Sequence, residues 1–243
     1  MLPYFYIPSY DKDQTEIFLD EESSRHIVQV LRMDAGERLQ LTDGKGSLLE
    51  AIIREAHKKK CLVKIESEAR LPSPEKKVSI AISILKNTHR FEWFLEKATE
   101  IGVTQIIPLL CDRTEKHHMR RERMQHILIS AMLQSQQAWL PDLTVPASFK
   151  EVISGASPTQ KFIAHCAEDK KSLLSDGLLL THGAGTIPRS PVSRMILIGP
   201  EGDFSQNEIG LALGQGFIPV SLGNSRLRTE TAGIVAATLL CAG

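Results

Sequence analysis

Two short segments concentrate the residues able to do chemistry. In the first, Met195-Ile196-Leu197-Ile198 runs into Gly199-Pro200-Glu201-Gly202-Asp203-Phe204-Ser205, with Asn207-Glu208 just beyond. An apolar run ending on glycine lets backbone amides approach a ligand, because no Cβ stands in the way. Ser205 with Glu208 three residues later reads as a capping box, so a helix opens directly behind the loop. In the second, Val220-Ser221-Leu222 runs into Gly223-Asn224-Ser225-Arg226-Leu227-Arg228, and a helix capped by Thr229 follows through Glu230, Thr231 and Ala232. The chemistry on offer is anion recognition by arginine and proton handling by a carboxylate. A lone Gly-Pro fits an ordinary tight turn equally well, and each charge alone fits a solvated surface. Two such loops in one chain are harder to dismiss.

Such loops need strands behind them. Val78–Leu85 is a β-branched run, and Thr104–Leu110, Lys161–Ala164, Met195–Ile198 and Ile218–Leu222 are further strand candidates. Between them, Phe91–Ile101 carries apolar residues at 91, 94, 95, 98 and 101, which is helical spacing. Helices are also expected at Arg120–Gln137, Gln206–Leu213 and Thr229–Cys241. Alternation of strand and helix implies an α/β domain with a parallel sheet covered on both faces. Ligands of such sheets bind beyond the C-terminal strand ends, where both glycine loops lie.

The first seventy residues read differently. One or two helical turns near Ser24–Arg32 precede strands at Arg38–Thr42 and Leu48–Ile53, joined by Asp43-Gly44-Lys45-Gly46, and Cys61–Ile65 alternates again. That pattern suggests a small β-barrel over residues 1–70. Leu71-Pro72-Ser73-Pro74 reads as a linker, leaving 75–243 for the α/β domain. Gly183-Ala184-Gly185 in a polar stretch is likewise read as linker.

Composition narrows the field. Lys+Arg and Asp+Glu are both 29 of 243 residues, so any nucleic acid must be held by a local patch and not by bulk charge. No apolar stretch approaches a membrane span and no signal peptide is evident, so a cytoplasmic protein is expected. Cys61, Cys111, Cys166 and Cys241 are far apart, which disfavours a metal or redox motif. P-loop, dinucleotide-binding and nucleophile-elbow motifs are absent from the sequence.

Gly199-Pro200-Glu201-Gly202, Leu222-Gly223 and Leu227-Arg228-Thr229-Glu230-Thr231-Ala232 together resemble the signatures of the RsmE family, 16S ribosomal RNA uracil-N3 methyltransferases of the SPOUT superfamily. His26-Ile27 with Val30-Leu31-Arg32 is similar to that family's N-terminal element. Glu92, Lys97-Ala98-Thr99-Glu100 and Gly102-Val103 match a family helix, and Gln134-Ser135 match a further pair. The resemblance implies an N-terminal PUA-like barrel, a C-terminal α/β domain with a deep trefoil knot, S-adenosylmethionine in the knot loops, and a homodimer. By motif match, Leu197, Gly199, Gly202, Leu222, Gly223 and Leu227 are expected to bind the cofactor. Arg228 is expected to hold the uracil and stabilise its developing anion, with Glu230 as base or as the group orienting Arg228. No metal is implied.

The partner would be 16S rRNA or the 30S subunit. Arg113–Arg123 carries five Lys and Arg residues against two acids, and Arg120 and Arg121 are its candidate phosphate contacts. Arg25, Arg32 and Lys59, the last within His57-Lys58-Lys59-Lys60, are candidates from the first domain. Three positions depart from the family pattern: residues 1–10 lack a basic residue, Gln137 stands where an arginine is common, and Asp203 replaces a second glycine. Asp203 either serves the positive groups of the cofactor or acts as a cap. Two other functions share these features: a SPOUT methyltransferase acting on another RNA or base atom, and a non-catalytic RNA-binding ribosome-assembly protein.

Overall fold

The computed structural model describes residues 2–167, 171–180 and 192–242, so Gly183-Ala184-Gly185 lies outside the described residues. The chain forms two compact units, Met1–Ser73 with Met132–Leu140, and Pro74–Ala131 with Pro141–Gly243.

The first unit holds β1 (Tyr4–Tyr6), β2 (Glu16–Phe18), α1 (Glu21–Arg25) running into a π turn (His26–Val30), β3 (Arg38–Thr42), β4 (Ser47–Glu55) and β5 (Leu62–Arg70). Its sheet order is β1-β3-β4-β5-β2, with β1 parallel to β3 and the remaining pairs antiparallel. Alternation along β4 turns Leu49, Ala51 and Ile53 inward against Ile27, Leu39, Leu41, Cys61 and Val63, all essentially inaccessible. Strands β1 and β2 have three residues each, too few to show a period, so sequence patterning passes over them.

The second unit holds β6 (Lys77–Ser83), α2 (Thr88–Ile101), β7 (Gln105–Leu110), α3 (Arg121–Gln134), β8 (Asp142–Leu143), β9 (Ala147–Ser148), α4 (Phe149–Gly155), β10 (Gln160–Ala164), β11 (Ser172–Leu173), α5 (Leu174–Leu180), β12 (Ser193–Ile198), α6 (Gln206–Gly214), β13 (Ile218–Ser221) and α7 (Thr229–Ala242). Every strand pair is parallel, in the order β11-β13-β10-β12-β6-β7-β8 with β9 also beside β7. Ala81, Ile163 and Leu197 face a core completed by Phe149, Ile209 and Phe217 from the α4–α6 side. Ile82, the next residue along β6, faces Gly233 of α7 on the other side. From β12 the chain passes beyond β10 to add β13, then returns as α7 to pack on β6, β12 and α2. The expected trefoil knot needs a doubling back of this kind, against the usual rule that chains do not thread.

The motif helix α2 ends as its composition demands. Gly102 takes φ 98° and caps the carbonyls of Ala98 and Thr99. The Thr99 hydroxyl donates back to the Leu95 carbonyl at 2.8 Å, and Lys97 pairs with Glu96 and Glu100. The Lys97–Gly102 run that carries part of the resemblance thus builds a helix terminus.

Helix α3, whose residues from Met132 on already belong to the first unit, stops at Gln134, short of the expected Gln137, because Gln136 turns left-handed (φ 56°). In that unit Asp43 organises the β3–β4 turn, accepting from the amides of Lys45 (2.8 Å) and Ser47 (3.1 Å). Residues 138–140 cover that turn: Gly46 N–H donates to the Ala138 carbonyl and Leu140 N–H to the Gly44 carbonyl, both at 2.8 Å. A Cβ on Gly46 would collide with the Trp139 ring, so this residue is glycine for packing as well as for its φ of 94°. The carbonyl of Gln137 accepts from the Tyr4 hydroxyl at 3.3 Å.

Candidate functional site

Strands β10, β12, β13 and β6 end level with one another, since Ala164 pairs with both Ile198 and Val220, and Ile198 pairs with Ile82. Residues 165–167 and the 199–205 and 222–228 loops therefore leave the same edge of the sheet. They enclose a cavity of about 680 Å³. Both glycine loops border it, separated in the chain by α6 and β13 and flanking β10, which lies between their strands.

The 199–205 loop is held by its own polar groups. Asp203 N–H donates to the Pro200 carbonyl at 2.9 Å, closing a tight turn in which Asp203 has φ 63°. Its carboxylate accepts from two amides at 2.8 Å, Cys166 N–H across the cavity edge and its neighbour Phe204 N–H. Aspartate tolerates the left-handed region better than most residues, which explains how it can stand where glycine is common. Of the two expected roles, the structure shows the backbone-capping one. A Cβ at Gly199 would lie 3.2 Å from the Phe204 ring and amide, so this glycine lets the loop fold onto Phe204. Ser205 and Glu208 form the expected capping box, and buried Glu208 also accepts from Asp112 N–H at 2.9 Å. Asp112 takes the Ser205 hydroxyl at 2.6 Å, and Arg113 donates to the Gly202 carbonyl at 2.6 Å. The basic segment after β7 is thereby fastened to the glycine loop.

The 222–228 loop turns at Gly223 (φ 140°), with Ser221 bridging to its carbonyl and amide. Ala232 N–H donates to the Arg228 carbonyl at 2.8 Å. Arg228, and not Thr229, therefore occupies the N-cap of α7, with Thr229 buried inside the first turn.

The structure brings Gly199, Leu222, Gly223, Leu227 and Arg228 together around the cavity. Leu197 is fully buried in the opposite core, because strand alternation gives the cavity wall to Ile198 instead. Gly202 points to Arg113 and is not among the lining residues. Glu230 is buried and also off the lining, its Oε1 3.6 Å from Nε of Arg90. Arg90 itself lines the cavity, as do His165, Cys166 and Lys171. Sequence reading passes over these four because they belong to α2 and to the segment after β10, outside both glycine loops. The available clue is that Arg90 lies one turn before Phe94 on the stripe of α2 that packs on α7, as Glu230 lies one turn before Gly233.

A second cavity of about 480 Å³ in the same unit is bordered by Thr88, His89 and Glu92 of α2 and by Lys116, His118 and Arg120. Arg123 donates twice to Glu92, and His89 stands 3.4 Å from the same carboxylate. Arg123, ahead of His89, holds the Glu92 carboxyl below the usual carboxylate range. Arg120 and Arg121 are exposed beside this cavity and at the start of α3. In the first unit Arg25 is exposed and paired with Glu21 at 2.7 Å, Arg32 is exposed with φ 56°, and Lys59 is exposed in a turn. Among the described residues no three His, Cys, Asp or Glu side chains group as metal ligands.

Comparison with known proteins agrees with this geometry. Residues 72–241 match the RNA methyltransferase domain and residues 19–66 the RNA methyltransferase PUA domain. Ribosomal RNA small subunit methyltransferase E of Synechocystis sp. is 31% identical over 92% of this chain and 72% of its own. The crystal structure of a probable rRNA-methyltransferase from Porphyromonas gingivalis superposes with TM-score 0.87 at 39% identity, covering 99% of both chains. A Legionella pneumophila putative methyltransferase solved with bound S-adenosylmethionine gives 0.84 at 31% identity, covering 100% of this chain and 98% of its own. The α/β unit is thus a SPOUT domain and the first unit is PUA-like. A parallel sheet ending in two glycine loops around one cavity, together with these matches, places the chain in the RsmE family of RNA methyltransferases.

Proposed function

We propose that this protein transfers a methyl group from S-adenosylmethionine to N3 of a uridine in the 16S RNA of the small ribosomal subunit. The observation that carries the reading is the meeting of the 199–205 and 222–228 loops over one cavity that also holds Arg228. Its volume lies within the roughly 300–1,000 Å³ common to small-molecule sites.

The residues present suit the cofactor. Gly223 has open space where a Cβ would stand, so a ligand can approach its backbone. Half-buried Leu222 and Leu227 offer apolar side chains to an adenine ring. Gly199 and Gly202 support the loop through Phe204 and Arg113, and Leu197 anchors the strand behind it. When bound, S-adenosylmethionine supplies an electrophilic methyl carried on a sulfonium.

Arg228 is assigned to the uracil. Its backbone is fixed at the start of α7, which limits the freedom lost on docking. N3–H of uracil is a weak acid, so the nitrogen becomes a good nucleophile only as its proton leaves and negative charge spreads to the ring oxygens. A guanidinium, charged at any working pH, stabilises that charge. Uridine must also leave its stack to reach the cavity. Exposed Arg25, Arg32, Lys59, Arg120 and Arg121 are assigned to phosphate contacts along the RNA. A homodimer is also proposed, supported by Trp93, a large apolar residue left 44% exposed on α2. A ribosomal substrate places the enzyme in the cytoplasm, and among the described residues no helix is long and apolar enough to cross a membrane.

Tritiated-methyl transfer to 30S particles and to naked 16S rRNA, followed by nucleoside mass spectrometry, tests the reading. N3-methyluridine is the expected product. A different methylated nucleoside would reassign the target, and cofactor binding without transfer would favour a non-catalytic RNA-binding protein. Arg228→Ala should lower turnover while leaving cofactor affinity in place.

A further inference from the structure

The first turn of α2 contributes to both cavities of the second unit: Arg90 lines the large one, and Thr88, His89 and Glu92 line the other. On the large-cavity side, the Arg90 side chain is 40% exposed while that of Glu230 is 9% exposed. Oε1 of Glu230 approaches Nε of Arg90 to 3.6 Å, beyond hydrogen-bond range, so the guanidinium keeps donors for a second anion. On the other side, the one acid, Glu92, is already engaged by Arg123 and His89. Lys116 donates to the Thr88 hydroxyl at 2.5 Å, and exposed Arg120 adds a second cation beside His118, Met119 and buried Met124. Cations thus flank the turn on both sides, with Glu230 beside Arg90 and Glu92 taken up by Arg123 and His89; Glu201 and Asp203 line the large cavity with Arg90.

We infer that the N-terminal turn of α2 is a binding site for the ribose-phosphate backbone next to the target base. Arg90 grips a phosphate at the mouth of the large cavity, and Lys116 and Arg120 grip the strand on the far side. A planar guanidinium with two free donors matches a phosphate bidentately. Glu230 is then a positioning residue: it acts through Arg90, and its burial fixes the direction in which that guanidinium points. This rests on the substrate being RNA, though not on which atom is methylated.

The test uses the full-length protein and a fluorescein-labelled single-stranded RNA oligonucleotide containing uridine, with affinity measured across a salt series without cofactor. Arg90→Ala and Arg120→Ala should each weaken binding and flatten the salt dependence, the log–log slope falling by about 0.7 for each phosphate of a single strand that is no longer neutralised. Glu230→Gln keeps shape but removes charge. It should raise KM for RNA more than it lowers kcat, and add nothing in the Arg90→Ala background, since coupled residues are non-additive. Where Arg90→Ala does not fold, Arg90→Lys serves, with charge kept and the fork removed, and an intermediate affinity is expected. An unchanged salt slope in Arg90→Ala, or additive effects of the two substitutions, overturns the site. So does a loss confined to S-adenosylmethionine affinity by calorimetry, which would give Arg90 to the cofactor. RNA binding that behaves as expected without production of N3-methyluridine would instead reject the methylation target and leave this site standing.

Discussion

Asp203 offers the sharpest test of how the cavity is held together. Its carboxylate accepts two amide hydrogen bonds at 2.8 Å, one of which ties the 199–205 loop to Cys166, just beyond β10. Hydrogen bonds to a charged group are worth about 1.5–3 kcal/mol each when buried. Asp203 is only half-buried, so solvent screening places the two together nearer 2–3 kcal/mol in total. Its φ of 63° adds a second effect. Alanine in the left-handed region costs roughly 1–2 kcal/mol, whereas glycine adopts it freely. Asp203→Ala therefore loses both bonds and keeps the strain, while Asp203→Gly loses the bonds and relieves the strain. At about 1.4 kcal/mol per tenfold, Asp203→Ala should weaken S-adenosylmethionine binding by at most about a hundredfold. Asp203→Gly should recover roughly five- to twenty-five-fold of that loss, on the same conversion. Asp203→Asn keeps one acceptor oxygen and the left-handed tolerance, and should fall between wild type and alanine. Titration calorimetry measures all three. Equal affinity in Asp203→Ala and wild type, or tighter binding by alanine than by glycine, would refute this reasoning.

Other consequences are more local. A Cβ at Gly233 would lie 2.7 Å from Cε2 of Phe94 and 2.9 Å from Cδ1 of Ile82, both wholly buried. Overpacking of about 1–3 kcal/mol should outweigh the helix-propensity gain of about 1 kcal/mol in Gly233→Ala, so its melting temperature should fall; a rise would show that α7 can move off α2. Thiol labelling with iodoacetamide at mildly alkaline pH should modify exposed Cys166 first. Burial pushes the thiols of Cys61 and Cys111 up and that of Cys241 to about 11. S-adenosylhomocysteine should protect Cys166, and undiminished labelling at saturating ligand would place the ligand elsewhere. Arg123 holds the Glu92 carboxyl below its unfolded value, so the pair stabilises at neutral pH and the contribution is lost as pH falls through the folded-state value. The melting-temperature gap between wild type and Arg123→Ala should be open at neutral pH and closed in strong acid; a gap independent of pH would mean that packing, and not charge, is what Arg123 contributes.

Much of this protein is legible along the chain because the signals are local. The apolar runs ending at Ile198 and Ser221, the glycines behind them and the Ser205–Glu208 capping box each span a few residues. Backbone sterics and hydrogen-bond capacity act at that range, so composition alone reveals strand, loop and helix start. Strand order is another matter. The loops after β12 and β13 face one cavity because β10 lies between those strands, a choice settled by packing between distant segments. The same holds for Arg90, which reaches the cavity because α2 packs on α7, and for Leu197, which alternation turns away from it. It holds also for residues 135–140, the first of which read as a continuation of helix α3 until the fold lays 138–140 over the Asp43–Gly46 turn. Spacing in the chain determines which residues sit at loop tips, but only the folded sheet decides which tips meet, because parallel pairing joins segments whose separation in sequence carries no record of their neighbours.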